Sequence, residues 1–267
     1  MKKKNCLIIF LVFLIGIVIG NLLNFKNSAK ATSDSYVIQV EKTFGVEYLI
    51  NSGEAKALRY QAYNIASKRL EELKKEHENE ENLAVVLDID ETILKNYYYL
   101  AQQFLGKEEY KNMSFSSWVQ EEKGTIIEGA EEFLNKAKEL NIEVFYITNR
   151  ALKTKEATIN NLNSLSLPYG DENHILLKEG SSSKESRVKK VQENHNVLMY
   201  LGDNLGDFPE DFYKKSNEER CKIVEENKEK FGVEYIIIPN TIYGNWDDKT
   251  FNEMIEEIEG YESEVNS

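Results

Sequence analysis

Short apolar runs alternate with amphipathic stretches along most of the chain. Runs of β-branched and aliphatic residues bounded by polar residues predict strands at 83–88, 142–147, 175–177, 197–201 and 235–238. Apolar residues at three- and four-residue steps predict helices at 130–140, 154–165 and 184–194. Strands that alternate with helices are typical of a parallel sheet with right-handed crossovers. We therefore expect an α/β fold, a Rossmann-like parallel sheet flanked by helices.

Two further helical regions are predicted. A long amphipathic pattern begins at Ser52-Gly53-Glu54, and the charged stretch 71–81 is interpreted as its solvated end and a linker. A short helix is expected before it, around residues 44–49. After the first predicted strand, residues 96–127 are rich in aromatic side chains, which favours a mostly helical cap over a pocket.

The N-terminus has the pattern of an export signal. Three lysines precede the apolar stretch Leu7–Leu23, and Ala29-Lys30-Ala31 offers a small-x-small cleavage site before Thr32. Left uncleaved, an apolar stretch of about 17 residues is just long enough to span a bilayer. Cleavage and anchoring both stay open. We expect an exported protein, extracellular or at the cell surface, that meets the membrane only through this segment.

The length and the pattern together suggest four parts. A chain of 267 residues suits one α/β domain with an added helical layer, or at most two domains. Residues 1–31 are expected to be a signal peptide or membrane anchor, and 32–80 an N-terminal helical segment. The core is expected at 81–258, with the cap at about 96–127, and a tail at 259–267.

The composition narrows the range of partners. Lysine and arginine total 33 against 46 acidic residues, a formal charge of −13, which argues against a basic nucleic-acid-binding surface. An acidic surface suits solubility and divalent cations. The two cysteines are Cys6, inside the export segment, and Cys221, so the mature domain forms no internal disulfide. The sequence leaves the oligomeric state open, a homodimer included.

The first core strand ends in two carboxylates, Asp88 and Asp90. Residues two apart in an extended chain point to the same side, so the two acids repel unless a cation, a shared proton or donors compensate. The carboxyl end of a parallel strand is also where open α/β sheets bind ligands. We therefore expect a Mg²⁺-assisted nucleophile and an acid/base group. The alternative, in an acidic chain, is a solvated turn or a helix-capping acid.

Later strands end in residues suited to phosphate and metal. Thr148-Asn149-Arg150 offers a hydroxyl and backbone N–H groups to an anion, and Lys184 begins a helix where it can neutralise phosphoryl oxygens. The strand at 197–201 leads into a glycine-containing turn that carries Asp203 and Asp207. These groups predict a hard, oxygen-rich site that fits Mg²⁺ with a phosphate and does not fit Zn²⁺.

With these positions assembled, the chain resembles the haloacid dehalogenase superfamily, and more narrowly its class C acid phosphatases, the bacterial surface nucleotidase-like enzymes. The resemblance covers most of the chain after the export segment. Its most specific parts are Asp88-Ile89-Asp90-Glu91-Thr92-Ile93-Leu94 and Gly202-Asp203-Asn204-Leu205-Gly206-Asp207-Phe208. Further matches are Asn96, Tyr99, Thr148-Asn149-Arg150, Lys184, Arg187, Pro239-Asn240 and Tyr243-Gly244-Asn245-Trp246.

The resemblance implies a role for each matched position. Asp88 would attack phosphorus to form an aspartyl-phosphate, and Asp90 would protonate the leaving alcohol and then activate water. The phosphate- and substrate-binding positions would be Thr148, Asn149, Lys184 and Tyr243, the last as an aromatic surface for a nucleobase or aryl group. Mg²⁺ would be held by the carboxylates of Asp88 and Asp203 and the backbone carbonyl of Asp90. Asp207 would be a ligand through water or would orient Lys184.

The sequence thus predicts an exported Mg²⁺-dependent acid phosphatase for small-molecule phosphomonoesters, with nucleoside 5′-monophosphates and aryl phosphates as candidate substrates. The alternatives are a phosphatase or phosphotransferase for sugar phosphates or phosphoproteins, and a catalytically inactive surface binding protein. The chain departs from many relatives at Lys95, where they carry an acid, and in lacking a lipid-anchored cysteine at the expected place. No role is assigned to His174, His195 or Cys221.

Overall fold

The computed structural model describes residues 42–247 and 249–265. The strands, in chain order, are β1 (Leu83–Leu87), β2 (Leu94–Lys95), β3 (Thr125–Ile126), β4 (Glu143–Ala151), β5 (Ile175–Lys178), β6 (Asn196–Gly202) and β7 (Tyr235–Ile237). The helices are α1 (42–51), α2 (Gly53–Glu76), α3 (Tyr97–Phe104), α4 (Glu108–Lys111), α5 (Phe115–Gln120), α6 (Ala130–Glu139), α7 (Lys155–Ser164), α8 (Glu185–Gln192), α9 (Asn217–Glu226) and α10 (Phe251–Val265).

The central element is a parallel sheet with the strand order β5-β4-β1-β6-β7. The chain builds outward from β1 to β4 and β5, then returns to the other side of β1 for β6 and β7. The order therefore reverses at β1, and this reversal opens a crevice at the carboxyl ends of the strands, where such sheets bind ligands. The predicted α/β fold with a parallel sheet flanked by helices is confirmed.

Both faces of the sheet are covered, which explains why β1 consists only of apolar residues. On one face, Val85 and Leu87 pack in a cluster with Tyr63 of α2 and Phe133 of α6. On the other face, Val86 packs in a cluster with residues of α8. Because each side chain of β1 is buried, the position at which Asp88 leaves the sheet is fixed by the core on both sides.

The segment after β1, where a cap was expected, is mostly helical. Helices α3, α4 and α5 lie between β2 and β3, and these two strands pair antiparallel through Leu94 with Ile126 and Lys95 with Thr125. The rings of Tyr99 and Trp118 stack at 5.6 Å inside the cap. The pattern predicted the helices but not the two-stranded sheet, since strands of two residues carry no recognisable alternation.

Two elements differ from the sequence prediction. β4 does not end at Ile147 but continues to Ala151, so Thr148, Asn149 and Arg150 belong to the strand and do not follow it. The polar residues continue the strand because Arg150 is buried and paired with an acid. Helix α9 was not predicted, although its Ser216 and Glu219 form a capping box that is visible as Ser-x-x-Glu in the sequence.

The structure describes the two terminal segments only in part. The predicted export segment at 1–31 lies outside the described residues. Among the residues that are described, no helix combines the length and apolar composition needed to cross a membrane. Helix α10 belongs to a unit separate from residues 44–248, and the boundary expected after residue 258 falls inside this helix.

Candidate active site

The chain turns sharply after β1 and presents two acids at the edge of the sheet. The Asp88 amide N–H donates to the Leu201 carbonyl of β6 at 3.0 Å, which continues the sheet pairing by one residue. The carbonyl of Ile89 then accepts from the amides of Ile93 and Leu94, both at 2.8 Å, so the segment folds back on itself. This tight turn places Asp88 and Asp90 beside the crevice.

Three carboxylates meet at this point. Asp88, Asp203 and Asp207 each offer an oxygen atom within 4.8 Å of the others, although they come from β1 and from the turn after β6. Asp88 and Asp207 are buried, with 8% and 7% of their surface exposed, and Asp203 is half-buried. The structure therefore brings these three acids together, as we expected from the sequence.

Neutral donors hold Asp203 and Asp207 in place. Asp203 accepts from the Thr92 hydroxyl at 3.2 Å and from the Asn240 amide at 2.7 Å. Asp207 accepts from the backbone N–H of Asn204 at 2.9 Å. Asp207 also lies so close to Gly202 that a Cβ there would be 2.4 Å from the Asp207 side chain, so this position requires glycine.

Lys184 connects two of the carboxylates. It stands immediately before α8, is 5% exposed, and its ammonium group contacts an oxygen of Asp88 and lies 2.7 Å from an oxygen of Asp207. Burial on its own would lower the pKa of Lys184, but the attraction of Asp207 and Asp88 outweighs burial and raises it. Lys184 is therefore a permanent positive charge next to Asp88.

One lysine does not balance the acids around it. Burial, together with the neighbouring Asp207 and Asp90 and against the opposing effect of Lys184, raises the pKa of Asp88 to about 7. Burial also raises the pKa of Asp203 well above its ordinary value, and the charges of Asp207 and Asp88 add to this effect. The protein alone thus concentrates more negative charge here than its cationic side chains compensate.

This imbalance fits a divalent metal ion. The donors are oxygen atoms of close carboxylates, which suit hard cations such as Mg²⁺, and the group includes no thiolate or imidazole of the kind that zinc prefers. A cation held by these acids would remove the repulsion that raises the pKa of Asp88 and Asp203. The buried aspartate triad is therefore suited to bind a metal ion.

Asp90 faces a different set of partners. Arg150 of β4 donates to its carboxylate from Nη2 at 2.8 Å and from Nε at 3.0 and 3.1 Å. Asn96 donates at 2.9 Å, and the Thr148 hydroxyl donates at 3.4 Å. Arg150 was given no role from the sequence. No local pattern marks it, because its partner Asp90 lies 60 residues earlier in the chain.

A second arginine fixes the end of β4. Arg187 donates to the backbone carbonyl of Thr148, to the side chain of Asn149 at 2.8 Å and to the carbonyl of Ser183 at 3.0 Å. Thr148 is fully buried beside Asp90, whereas Asn149 is exposed. Arg187 thus joins the loop before Lys184 to the strand that carries Thr148.

Glu91 and Tyr243 close the site from the other side. Glu91 is fully buried in a left-handed backbone conformation with a φ of 57°. The Tyr243 hydroxyl donates to one of its carboxylate oxygens, and the backbone N–H of Asn96 donates to the other at 2.9 Å. Burial raises the pKa of Glu91 well above its ordinary value, and the charges of Asp90 and Asp203 add to this. Tyr243 is therefore tethered to Glu91, the residue that follows Asp90.

The residues without an assigned role lie apart from these acids. His174 and His195 both contact Glu143 at the start of β4, the end of the strand opposite the carboxylates, at 3.1 and 3.4 Å. Cys221 is exposed on α9. Lys95 pairs with Glu128 at 2.6 Å at the base of the cap.

Comparisons with known proteins identify a family for this chain. Residues 21–246 match the family described as HAD superfamily, subfamily IIIB (acid phosphatase). The structure of the class C acid phosphatase from Bacillus anthracis has a TM-score of 0.74 and 30% identity, over 82% of this chain and 95% of that one. The same enzyme with tungstate bound gives a TM-score of 0.74 and 29% identity, over 82% of this chain and 94% of that chain.

Two plant proteins are also similar. Vegetative storage protein 1 of Arabidopsis thaliana is 28% identical over 211 residues, which is 74% of this chain and 71% of its own length. Acid phosphatase 1 of Solanum lycopersicum is 22% identical over 117 residues, 44% of this chain and 45% of its own. The resemblance seen in the sequence is thus confirmed, and the chain belongs to the haloacid dehalogenase superfamily, as a phosphomonoester hydrolase among its subfamily IIIB, class C acid phosphatases.

Proposed function

We propose that this protein is an exported, Mg²⁺-dependent acid phosphatase that hydrolyses small phosphomonoesters through a phosphorylated Asp88. The observation that carries the proposal is the convergence of Lys184, Asp203 and Asp207 on Asp88 at the point where the strand order reverses. Side chains from three separate parts of the sequence assemble one cation-binding and phosphate-binding site around a single carboxylate. A solvated turn or a capping acid would not gather these partners.

The first half of the reaction transfers the phosphoryl group to the protein. An oxygen of Asp88 forms a bond to phosphorus while the bond from phosphorus to the leaving oxygen breaks. Asp90 gives its proton to that oxygen, so the alcohol leaves uncharged. In the second half, Asp90 takes a proton from water, the water oxygen attacks phosphorus, and phosphate is released from Asp88. Asp90 thus gives up a proton in the first half of the reaction and regains one in the second.

Other side chains orient and stabilise the reacting groups. Lys184 places a buried positive charge beside the phosphoryl oxygens, and Thr148 offers them its hydroxyl. Arg150 and Asn96 hold the carboxylate of Asp90 in one orientation. Asn149, which is exposed and held by Arg187, is the weakest member of the proposed phosphate-binding set.

The carboxylates of Asp88 and Asp203 and the backbone carbonyl of Asp90 would hold the metal ion. Bound there, Mg²⁺ would offset the repulsion between an anionic nucleophile and an anionic substrate. Asp207 uses one oxygen for Lys184 and the other for the backbone N–H of Asn204. These contacts favour the orienting role over direct ligation for Asp207.

The cap and Tyr243 are proposed to select the leaving group. Tyr243 is tethered next to Asp90 through Glu91, which supports a role for its ring in stacking on a nucleobase or an aryl group. The related Bacillus anthracis enzyme has been solved with tungstate bound, and we infer that this chain accepts a tetrahedral oxyanion in the same way. Export rests on the lysines and apolar residues at the N-terminus.

A substrate panel tests the proposal. Purified protein is assayed between pH 4 and 8 on nucleoside 5′-monophosphates, aryl phosphates, sugar phosphates and a phosphopeptide, with EDTA or with added Mg²⁺. We expect hydrolysis that requires Mg²⁺, is fastest in acid and favours substrates with an aromatic leaving group. Equal rates in EDTA would contradict the metal requirement, and a preference for sugar phosphates or phosphopeptide would favour the alternative substrates. Cell fractionation of the native host tests export.

A further inference from the structure

Glu91 is a buried acid that takes no part in the proposed reaction. No part of its surface is exposed, and its partners are the neutral donors of Asn96 and Tyr243. Burial of a carboxyl group without a cationic partner is unfavourable, and a φ of 57° adds strain for a residue other than glycine. Because both the burial and the backbone conformation of Glu91 are unfavourable for folding, we infer that its contacts are important to the site.

The contacts of Glu91 lead directly to Asp90. One oxygen of Glu91 accepts from the backbone N–H of Asn96 at 2.9 Å and from its side-chain amide at 3.2 Å. The same amide donates to Asp90 at 2.9 Å. Asn96 is fully buried, and its side-chain carbonyl accepts from the indole N–H of Trp118 at 2.8 Å. Asn96 is thus held on both sides, and Glu91 fixes the side that faces Asp90.

The other oxygen of Glu91 reaches a different part of the chain. It accepts from the hydroxyl of Tyr243, which belongs to the segment after β7. That segment is already attached to the site, because Asn240 donates to Asp203 at 2.7 Å and accepts from the backbone N–H of Ile242 at 2.9 Å. Glu91 therefore joins the residue proposed to contact the leaving group with the residue proposed to protonate it.

We propose that Glu91 is a positioning residue: it holds the amide of Asn96, and through it the carboxylate of Asp90, at the place from which the leaving group is protonated. This inference rests on the proposed role of Asp90 as general acid. It assigns to Glu91 no contact with substrate and no proton transfer. Loss of Glu91 should therefore impair the protonation step more than phosphoryl transfer itself.

The dependence of rate on the leaving group separates these effects. A good leaving group such as 2,4-dinitrophenolate departs without a proton, whereas an alkoxide requires one. We compare kcat/KM for 2,4-dinitrophenyl, 4-nitrophenyl, phenyl and alkyl phosphates, since kcat/KM reports the steps up to cleavage of the ester bond. The variants are Glu91→Met, which removes all three hydrogen bonds of the carboxylate, and Glu91→Gln, which keeps an acceptor for Asn96 and can donate to the Tyr243 oxygen.

For Glu91→Met we expect kcat/KM on alkyl phosphates to fall roughly 10²-fold, which is the scale of the effect when a catalytic group is misplaced by about 1 Å. The loss on 2,4-dinitrophenyl phosphate should stay within about threefold, because no proton is needed there. Glu91→Gln should restore most of the rate on alkyl phosphates. Equal losses on all esters, or no loss on any, would overturn the proposal.

Two controls keep the outcomes separate. Because Asp90→Asn is expected to stop turnover, its release of the leaving group is followed in a single turnover. This variant should show the same leaving-group dependence more strongly; if it does not, the proposed role of Asp90 fails, and the inference on Glu91 fails with it. If only the Glu91 variants lack the dependence, the inference alone is wrong. Glu143→Gln is the matched control, because it makes the same change at the start of β4, the end of the strand away from the carboxylates. It should leave all rates unchanged. If Glu91→Met does not fold, Tyr243→Phe replaces it. We then expect a smaller loss of kcat/KM with the same dependence on the leaving group. A loss of equal size on all esters would count against the proposal.

Discussion

The guanidinium group of Arg150 donates to the carboxylate of Asp90 from Nη2 at 2.8 Å and from Nε at 3.1 Å, across 60 residues of sequence. The pair is nearly closed to solvent, with side-chain exposures of 1% and 13%. A guanidinium group offers two parallel donors in a rigid plane, whereas an ammonium group is a point charge. Arg150 therefore fixes the orientation of Asp90 as well as its position.

Replacement of Arg150 by lysine should lower kcat by roughly 10- to 100-fold while KM changes little, because charge is retained but orientation of Asp90 is lost. Steady-state kinetics on an alkyl phosphate measure this effect. Circular dichroism and thermal unfolding verify that the variant is folded. A variant with the wild-type kcat would show that Arg150 serves only to neutralise charge.

Replacement of Asp88 by asparagine should abolish turnover of an aryl phosphate and leave the fold intact, since the amide cannot form the phosphorylated intermediate. Asp90→Asn should also stop turnover yet retain binding of a phosphate ester. Rapid acid quench with ³²P-labelled substrate should detect phosphorylated wild-type protein and none of the Asp88 variant. Hydrolysis that persists in Asp88→Asn would remove Asp88 from the role of nucleophile.

Removal of the metal ion should leave the carboxylates of the site to repel one another. In EDTA, Asp203→Asn is expected to be more stable than the wild type near pH 7 by about 1 kcal/mol, because the raised pKa of Asp203 reflects an unfavourable ionised form. Mg²⁺ should raise the Tm of the wild type and have little effect on that of the variant. Thermal scans of the wild type and of Asp203→Asn, each with and without Mg²⁺, provide the comparison. An equal rise for both proteins would place the cation elsewhere.

Acid stability should depend on Glu210, which pairs with Lys230 and accepts from the Tyr235 hydroxyl at 2.9 Å. The hydrogen bond from Lys230 lowers the pKa of Glu210 below its value in the unfolded chain. Its contribution to stability is therefore present above about pH 4.3 and is lost as the pH falls through the lowered pKa. Glu210→Gln should reduce the free energy of unfolding by roughly 0.5–1 kcal/mol at pH 7 and by nothing near pH 2. Urea unfolding at both pH values provides the measurement, and a difference that persists in acid would contradict this account.

The sheet and the acids at its edge were predictable because each has a local signal. β1 is apolar throughout and Asp88 follows it directly, so the site could be located before any strand order was known. The same holds for Asp203 and Asp207, which follow β6. What the pattern could not give was the order of the strands, since that depends on which apolar surfaces pair across long distances.

The partners of Asp90 were not predictable in the same way. Arg150 was expected just after the end of the strand, because a polar run after an apolar strand usually ends it. Its side chain is instead buried in the extended strand by its pairing with Asp90, an interaction that no local pattern encodes. Glu91 was visible only as part of a motif, since its hydrogen bond with Tyr243 joins residues 152 positions apart. The roles proposed for Thr148, Asn149, Lys184 and Tyr243 stay predictions until they are tested.

The paired strands β2 and β3 bring the two ends of the cap into contact, at Lys95 and Thr125. An insertion whose ends already touch can be exchanged for another of different length without moving Asp88. If the proposed roles hold, substrate range can evolve separately from the chemistry. One limit follows from the hydrogen bond between Trp118 and Asn96. A grafted cap must bring its own N–H donor to that amide, and swaps that ignore this should yield enzymes that bind new esters yet turn them over slowly.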